Sequence, residues 1–287
     1  MHSDSEASSL AQFKAKTLAE LAGPVTAPPS YGDLVPIQTS AIKVCTISLT
    51  GNDKIRLIGT PAPLTPLIRS AILSSWGTIQ RESNYAGAHE FKLSGTPWHG
   101  QGPDSVRSRR LLSSMLFTMA RVGWNLLQTT DVSQREHDKD TLFFEYSELP
   151  VQSASGSQDA DTAGALREVE LFAVSFHKSD RIRVISPQPP EVALRMMGLV
   201  KQAVASQWKY GIQQEQDYCG ALEIKLQGNP WQAKGDESVY ARMMLAQMIA
   251  NFQAEGFKLY ASIGIGPGSD GHDVESWVLR RTGPSWR

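Results

Sequence analysis

Cysteine is nearly absent from this chain of 287 residues, in which only Cys45 and Cys219 occur. Two cysteines give no support to a disulfide framework or a cysteine zinc site, so we expect a reducing compartment and no bound metal. An excess of charge of one sign is missing too, since Lys and Arg number 28 against 29 for Asp and Glu. A balanced chain has no overall field that attracts nucleic acid or an anionic membrane.

Long apolar segments are missing as well. No window of eighteen apolar residues occurs, and charged residues interrupt the first thirty positions, so neither a transmembrane helix nor a signal peptide is predicted. The chain also has no Asn-x-Ser/Thr glycosylation site. We therefore expect a cytoplasmic protein that does not insert into membranes.

The short motifs of common enzyme classes are missing too. There is no P-loop, His-Glu-x-x-His, Cys-x-x-Cys or Gly-x-Ser-x-Gly sequence. Residues 266–271 fit the formal glycine fingerprint for dinucleotides, but the residues after them have the pattern of a strand instead of the required helix. We expect a loop there and no cofactor. Because catalytic groups commonly come from distant parts of a chain, the question of an enzyme stays open.

What the chain does contain is an internal duplication. Residues 76–102 and 208–235 share fourteen identical residues among twenty-seven aligned positions, with one residue inserted in the second segment. Composition alone gives about two identities, so two structural repeats of one kind are present. The identical residues include Tyr85, Glu90, Lys92 and Trp98, which match Tyr218, Glu223, Lys225 and Trp231.

Hydrophobic periodicity predicts the elements of each repeat. Alternation at 45–57 and 172–184 indicates a hairpin with one buried face, and helical spacing at 64–72 and 196–204 indicates a helix. The shared block follows as a strand, then a second helix that ends at a glycine, and then two strands. The expected order in each repeat is β-β-α-β-α-β-β.

The second helix of each repeat has a predicted core face and a predicted exposed arginine. Arg109 and Arg242 lie in the first turns, where an exposed arginine needs no function. Helical spacing assigns the core face to Leu112, Met115, Leu116 and Met119, and in the second repeat to Leu245, Met248, Ile249 and Phe252.

This order of elements is best satisfied by an α+β fold. We expect two tandem repeats, each a mostly antiparallel sheet with two helices on one face, related by a pseudo-twofold axis. The predicted boundaries are an N-terminal helix and proline-rich linker at 1–40, the first repeat at 41–147, a flexible linker at 148–169 and the second repeat at 170–287.

The polar face of each predicted sheet is a candidate binding surface. A carboxylate and an ammonium on one strand face suit a polar ligand, whereas cross-strand ion pairs with arginine are the structural alternative. If the repeats pack side by side, the two faces merge into one concave surface. The candidate residues are Tyr85, Glu90, Lys92 and Arg56, and in the second repeat Tyr218, Glu223, Lys225 and Arg183.

The most specific repeated motif is Gly-x-Pro-Trp, at 95–98 and 228–231. Glycine and proline fix a stiff turn, which presents the indole of Trp98 or Trp231 for stacking on a ligand. Packing of the indole against the end of the sheet is the alternative, because large aromatic residues are commonly buried. We include both tryptophans among the candidate binding residues.

These patterns favour a non-catalytic binding or scaffold protein whose ligand is a protein or a small molecule. The alternative is a metal-free enzyme or small-molecule carrier with a pocket between the repeats, because a duplicated protein can specialise one half. Nucleic-acid binding ranks below both and rests on Arg56, Arg107, Arg109 and Arg110. The histidines that differ between the repeats, and motivate the enzyme hypothesis, are His89, His99, His137, His177 and His272.

Overall fold

The computed structural model describes residues 44–131, 139–147, 168–186, 190–265 and 273–282. The predicted N-terminal segment at 1–40, nearly all of the predicted linker and the glycine-rich loop at 266–271 lie outside these residues, as do His137 and His272. The described residues of both repeats belong to one compact unit. Within the described ranges, none of the helices combines the length and apolar character that crossing a membrane requires.

The first repeat is a six-stranded antiparallel sheet with two helices on one face. Its strands follow the order β3-β4-β2-β1-β6-β5. The elements are β1 (Val44–Thr50), β2 (Lys54–Ile58), α1 (Leu64–Ser75), β3 (Ile79–Tyr85), β4 (Ala88–Leu93), a 3-10 turn (Pro97–His99), α2 (Pro103–Arg121), β5 (Trp124–Thr130) and β6 (Thr141–Tyr146).

The second repeat has the same connectivity. Its strands follow the order β9-β10-β8-β7-β12-β11, which matches the first sheet strand for strand. Two tandem α+β repeats with antiparallel sheets are therefore confirmed. The elements are β7 (Leu171–His177), β8 (Arg181–Ile185), α3 (Pro190–Gln207), β9 (Ile212–Tyr218), β10 (Ala221–Leu226), a 3-10 turn (Pro230–Gln232), α4 (Asp236–Ala254), β11 (Phe257–Ile263) and β12 (Asp273–Arg281).

Alternation divides each sheet into an inner face, which packs under the helices of its own repeat, and an outer face. In β1 the buried residues are Cys45, Ile47 and Leu49, and the residues between them are only partly buried. The side chains of Ile68 and Ile72 in α1 cover this inner face. Burial of each such side chain contributes about 1.5–3 kcal/mol of stability, so the inner face of each sheet stabilises the fold of its own repeat.

Each repeat has one strand more than the sequence predicts. The shared block is a hairpin of β3 and β4, or β9 and β10, instead of a single strand. Its turn has positive φ at both central residues, which are Ala86 and Gly87 in the first repeat. Asn84 Oδ1 accepts a hydrogen bond from the Gly87 amide at 3.0 Å. The usual Asn-Gly or Asp-Gly signal of such a turn is missing from the sequence, which explains the difference.

Candidate functional site

The contact between the two repeats is asymmetric, because a helix of one repeat packs on the sheet of the other. Helix α2 of the first repeat packs on the outer face of the second sheet, against β7 and β8. Val106 on α2 is 0% exposed, whereas Val239 at the matching position of α4 is 55% exposed. A pseudo-twofold arrangement requires both helices to be covered alike, so the structure departs from that expectation in how the repeats are placed, though not in how each is built.

The contact surface on α2 is defined by comparison with α4. Seven residues are buried in α2 but at least partly exposed in α4, and we call those of α2 the docking face and those of α4 the open face. The docking face is Ser105, Val106, Arg109, Leu112, Ser113, Leu116 and Ala120. The open face is Ser238, Val239, Arg242, Leu245, Ala246, Ile249 and Gln253.

The core face predicted for the second helix combines residues from two faces. In α4 the buried residues are Ala241, Met244, Met248 and Phe252. The core face of α2 that corresponds to them contains Leu111, Met115 and Met119. Leu112 and Leu116 therefore belong to the docking face, because the second sheet adds a second surface for α2 to cover.

Arg109 is the central polar residue of the docking face. It is 2% exposed, which corrects the expectation of an exposed arginine. Its Nε donates to Ser276 Oγ at 3.0 Å and its Nη2 to the Ile265 carbonyl at 2.6 Å, both in the second repeat. A buried guanidinium is tolerated only when its donors are satisfied, so this arginine fixes where α2 lies on the second sheet.

Ser105, in the first turn of α2, contacts a polar cluster on the second sheet. Arg183 Nη1 donates to Ser105 Oγ at 2.8 Å, and Arg183 Nε donates to Glu223 Oε2 at 2.5 Å. The ring of Tyr218 stacks on this guanidinium at 4.2 Å. Burial raises the pKa of Glu223, but hydrogen bonds from Arg183, Gln216 and Arg181 outweigh it and hold the pKa below its usual range.

The first sheet carries the same cluster without a helix over it. Arg56 Nε donates to Glu90 Oε2 at 2.7 Å, and the guanidinium lies 4.1 Å from the centre of the Tyr85 ring. The Arg56 side chain is 20% exposed, compared with 3% for Arg183. Tyr85 itself is 54% exposed. In the cluster of Arg56, Glu90 and Tyr85, the arginine and the tyrosine are therefore accessible where α2 covers the counterpart, whereas Glu90 is 2% exposed.

The apolar residues beside the two clusters also correspond. Ile58 and Ala88 on the first sheet match Ile185 and Ala221 on the second. Ile185 is 0% exposed beneath α2, whereas Ile58 is 43% exposed. Other positions are more polar on the first sheet: threonine replaces an apolar residue at Thr46 and Thr130, where the second sheet has Ala173 and Ile263.

The two predicted tryptophans occupy equivalent and largely internal positions. Trp98 is 0% exposed and donates its Nε1 hydrogen to the Lys54 carbonyl at 3.0 Å. Trp231 is partly buried and donates to the Arg181 carbonyl at 3.3 Å. Both indoles therefore pack against the end of the sheet where β2 or β8 begins, as the packing alternative predicts. Neither belongs to the open cluster.

The predicted carboxylate–ammonium pairs do not form clamps. Lys92 Nζ lies 3.8 Å from Asp53, and Lys225 Nζ lies 3.8 Å from Asp180, so each lysine pairs with a turn aspartate. The expected concave surface is absent from the described part of the chain as well. Arg183 is buried beneath α2, whereas Arg56 stays partly exposed, so the outer face of the first sheet is the more open of the two.

The junction between the repeats is filled by side chains. Val106 and Leu112 of α2 and Ile263 of β11 belong to one buried cluster there, which counts against the expected pocket. His89 lies apart from this junction and contacts Glu82 at 2.9 Å. Nucleic-acid binding also loses support, because Arg109 is buried among the residues described above.

Sequence reasoning missed Ser105 and the role of Arg109. A signal was present in the second sheet, where β7 begins Leu171-Phe-Ala-Val174 without alternation. A continuous apolar run is typical of a strand buried on both faces, so something had to cover the outer face. In β1, by contrast, threonine and serine alternate with apolar residues.

The comparison with protein families agrees with this architecture. The structure defines the class as a duplicated α+β protein with one internally covered and one open sheet face. A family model of a protein domain matches the chain in two segments, residues 43–145 and 170–280, and the chain belongs to that family. The two segments coincide with the two repeats. No curated protein and no solved structure matches the chain.

Proposed function

We propose that this is a non-catalytic binding or scaffold protein that holds a helix of a protein partner on the outer face of the first sheet. The observation that supports it is the internal contact, in which α2 covers the equivalent face of the second sheet through Ser105 and Arg109. A surface that repeats the residues of a formed helix site, and stays open, is suited to a helix of similar chemistry.

The cluster on the first sheet supplies each part of such a site. Arg56 is held by Glu90 and stacked on Tyr85, so its guanidinium is oriented before a partner arrives. A hydroxyl in the first turn of a partner helix can accept from it, as Ser105 accepts from Arg183. Ile58, which is 43% exposed, provides apolar surface beside it.

The partner helix can be described by its chemistry. The docking face begins Ser105-Val106 and continues with Arg109, which indicates a serine, a β-branched residue and an arginine within the first two turns. The acceptor of that arginine on the second sheet is Ser276 Oγ, and the first sheet has Thr141 at the corresponding position. We expect Thr141 Oγ1 to take the same role. A cytoplasmic location stays a prediction from the sequence.

A stapled helical peptide with the sequence of residues 102–117 tests this proposal. Fluorescence anisotropy with the full chain measures its binding, and Ile58→Glu is the variant. Ile58 is already 43% exposed, so the change leaves folding nearly intact while placing a charge in the proposed contact. We expect at least about a tenfold loss of affinity, equivalent to about 1.4 kcal/mol.

The matched control is Leu194→Glu, which adds the same charge at an exposed leucine of α3. Its affinity for the peptide should equal that of the unaltered chain. A second control is the peptide with Arg109→Ala, which should bind less tightly to the unaltered chain. Absence of binding, or equal binding by the Ile58 and Leu194 variants, would contradict the proposal.

A further inference from the structure

We propose that the partner is a second copy of this chain, and that copies associate head to tail: the open face of α4 in one copy covers the outer face of the first sheet in the next. This inference rests on the proposed function, because it uses the same site on the first sheet. It adds the identity of the helix that fills the site.

The open face keeps four of the seven residues that make the internal contact, and it differs at Ala246, Ile249 and Gln253. Ser238, Val239, Arg242 and Leu245 are identical to Ser105, Val106, Arg109 and Leu112. Repeats that need only matching apolar character inside their own cores have no packing reason to keep the serine and the arginine outside them. The identities therefore indicate a second use of the same contact.

The polar groups of the open face are already arranged as in the formed contact. Arg242 Nη1 donates to the Ser238 carbonyl at 2.9 Å, as Arg109 Nη1 donates to the Ser105 carbonyl at 3.1 Å. Ser238 Oγ donates to the Gly235 carbonyl at 2.6 Å, and Ser105 Oγ donates to the Gly102 carbonyl at the same distance. Little reordering is needed before α4 docks, which lowers the entropic cost of association.

Several exposed apolar residues lie at the two surfaces that this arrangement brings together. The side chains of Val239 and Leu259 are exposed on the α4 side. Those of Ile58 and Leu127 are exposed on the first sheet. Leu127 matches Tyr260, which meets β5 inside the molecule by accepting a hydrogen bond from the Leu126 amide.

The contact between copies joins two unlike surfaces, as the internal contact does. Such a heterologous contact leaves one unused surface at each end, so addition of copies continues unless a ring closes. The contact between copies is also more polar than the internal one, because Thr46 and Thr130 replace Ala173 and Ile263. We therefore expect reversible association that increases with protein concentration.

Two full-length variants and their mixture test the inference. Val239→Glu removes the helix side and keeps the sheet side, whereas Ile58→Glu does the reverse. Both residues are exposed in the single chain, so each variant should fold, which circular dichroism and thermal melting check. Leu194→Glu on α3 is the control with the same charge at an exposed leucine.

Sedimentation velocity over a concentration series gives the outcome. We expect the unaltered chain and the Leu194 variant to form dimers and larger species, and each of the other two variants alone to stay monomeric. An equimolar mixture of the Val239 and Ile58 variants should form dimers only, because one intact pair of surfaces remains. A monomeric unaltered chain, or assembly that persists in either single variant, would overturn the inference.

The peptide experiment separates this result from the proposed function. If the chain is monomeric but the peptide binds in a way that depends on Ile58, then the site stands and the self-association is wrong. If neither occurs, both are wrong.

Discussion

At the scale of single residues, an identical residue at matching positions of the two repeats indicates a conserved role, but it does not show whether that role is in folding or in binding. The sequence singles out Trp98 and Trp231 as a pair, and the structure places them in equivalent packing positions. The same comparison pairs Arg109 with Arg242, of which one is buried and the other exposed. Which identical residue is used for folding, and which for contact, depends on neighbours that are distant in sequence.

Trp98→Ala tests the packing role of the indole. Because Trp98 is 0% exposed, we expect the free energy of unfolding to fall by about 3–5 kcal/mol. Trp231→Ala should cost less, since that residue is only partly buried. Urea denaturation measures both. Stability that stays unchanged while peptide binding is lost would instead assign the indole to recognition.

Glu223 gives the chain a specific dependence on pH. Burial raises its pKa, but hydrogen bonds from Arg183, Gln216 and Arg181 lower it below the ordinary value of 4.5. Ionised Glu223 therefore contributes stability above that value, and the contribution is lost as the pH falls through the lowered pKa. Glu223→Gln should cost about 3 kcal/mol at neutral pH, because it leaves buried arginine without its carboxylate.

The measurement for this prediction is the free energy of unfolding as a function of pH. The Glu223→Gln curve should be flatter than that of the unaltered chain on the acid side. Glu215→Gln is the control, because Glu215 lies on the exposed side of β9. Parallel curves for the unaltered chain and the Glu223 variant would contradict the assignment.

At the scale of elements, most of the fold could be predicted because hydrophobic periodicity is local. Both helices of each repeat and the opening hairpin follow from it. The β3–β4 and β9–β10 hairpins could not, because their turn residues Ala86 and Cys219 are not typical of positive φ. The second buried face of α2 could not either, because the sheet that covers it belongs to the other repeat.

The turn of this hairpin yields a prediction about backbone strain. Ala86 has φ of 50°, a left-handed conformation that costs a residue with a Cβ about 1–2 kcal/mol. Ala86→Gly removes this cost, and the added entropy of the unfolded chain offsets about 0.5–1 kcal/mol of the gain. We expect a net increase in stability of about 0.5 kcal/mol. Ala88→Gly is the control and should destabilise, because Ala88 lies in β4 with a buried side chain.

At the scale of the whole molecule, the relation between the repeats could not be read from their similarity. Equivalent sequences favour an equivalent, symmetric arrangement, but α2 is covered and α4 is open although four of the seven docking-face residues are identical in the open face. The difference lies in the partner surface, since the second sheet is apolar at positions where the first has threonine. An internal contact in one direction leaves two complementary surfaces, and the proposed binding function follows from them.

The most direct measurement compares Arg109→Ala with Arg242→Ala by urea denaturation at low protein concentration. We expect Arg109→Ala to lower the free energy of unfolding by about 3 kcal/mol, because the Ile265 carbonyl and Ser276 lose their donor in a buried contact. Arg242→Ala, at the exposed matching position, should change it by less than about 0.5 kcal/mol. Equal effects of the two substitutions would contradict the contact in one direction on which the account rests.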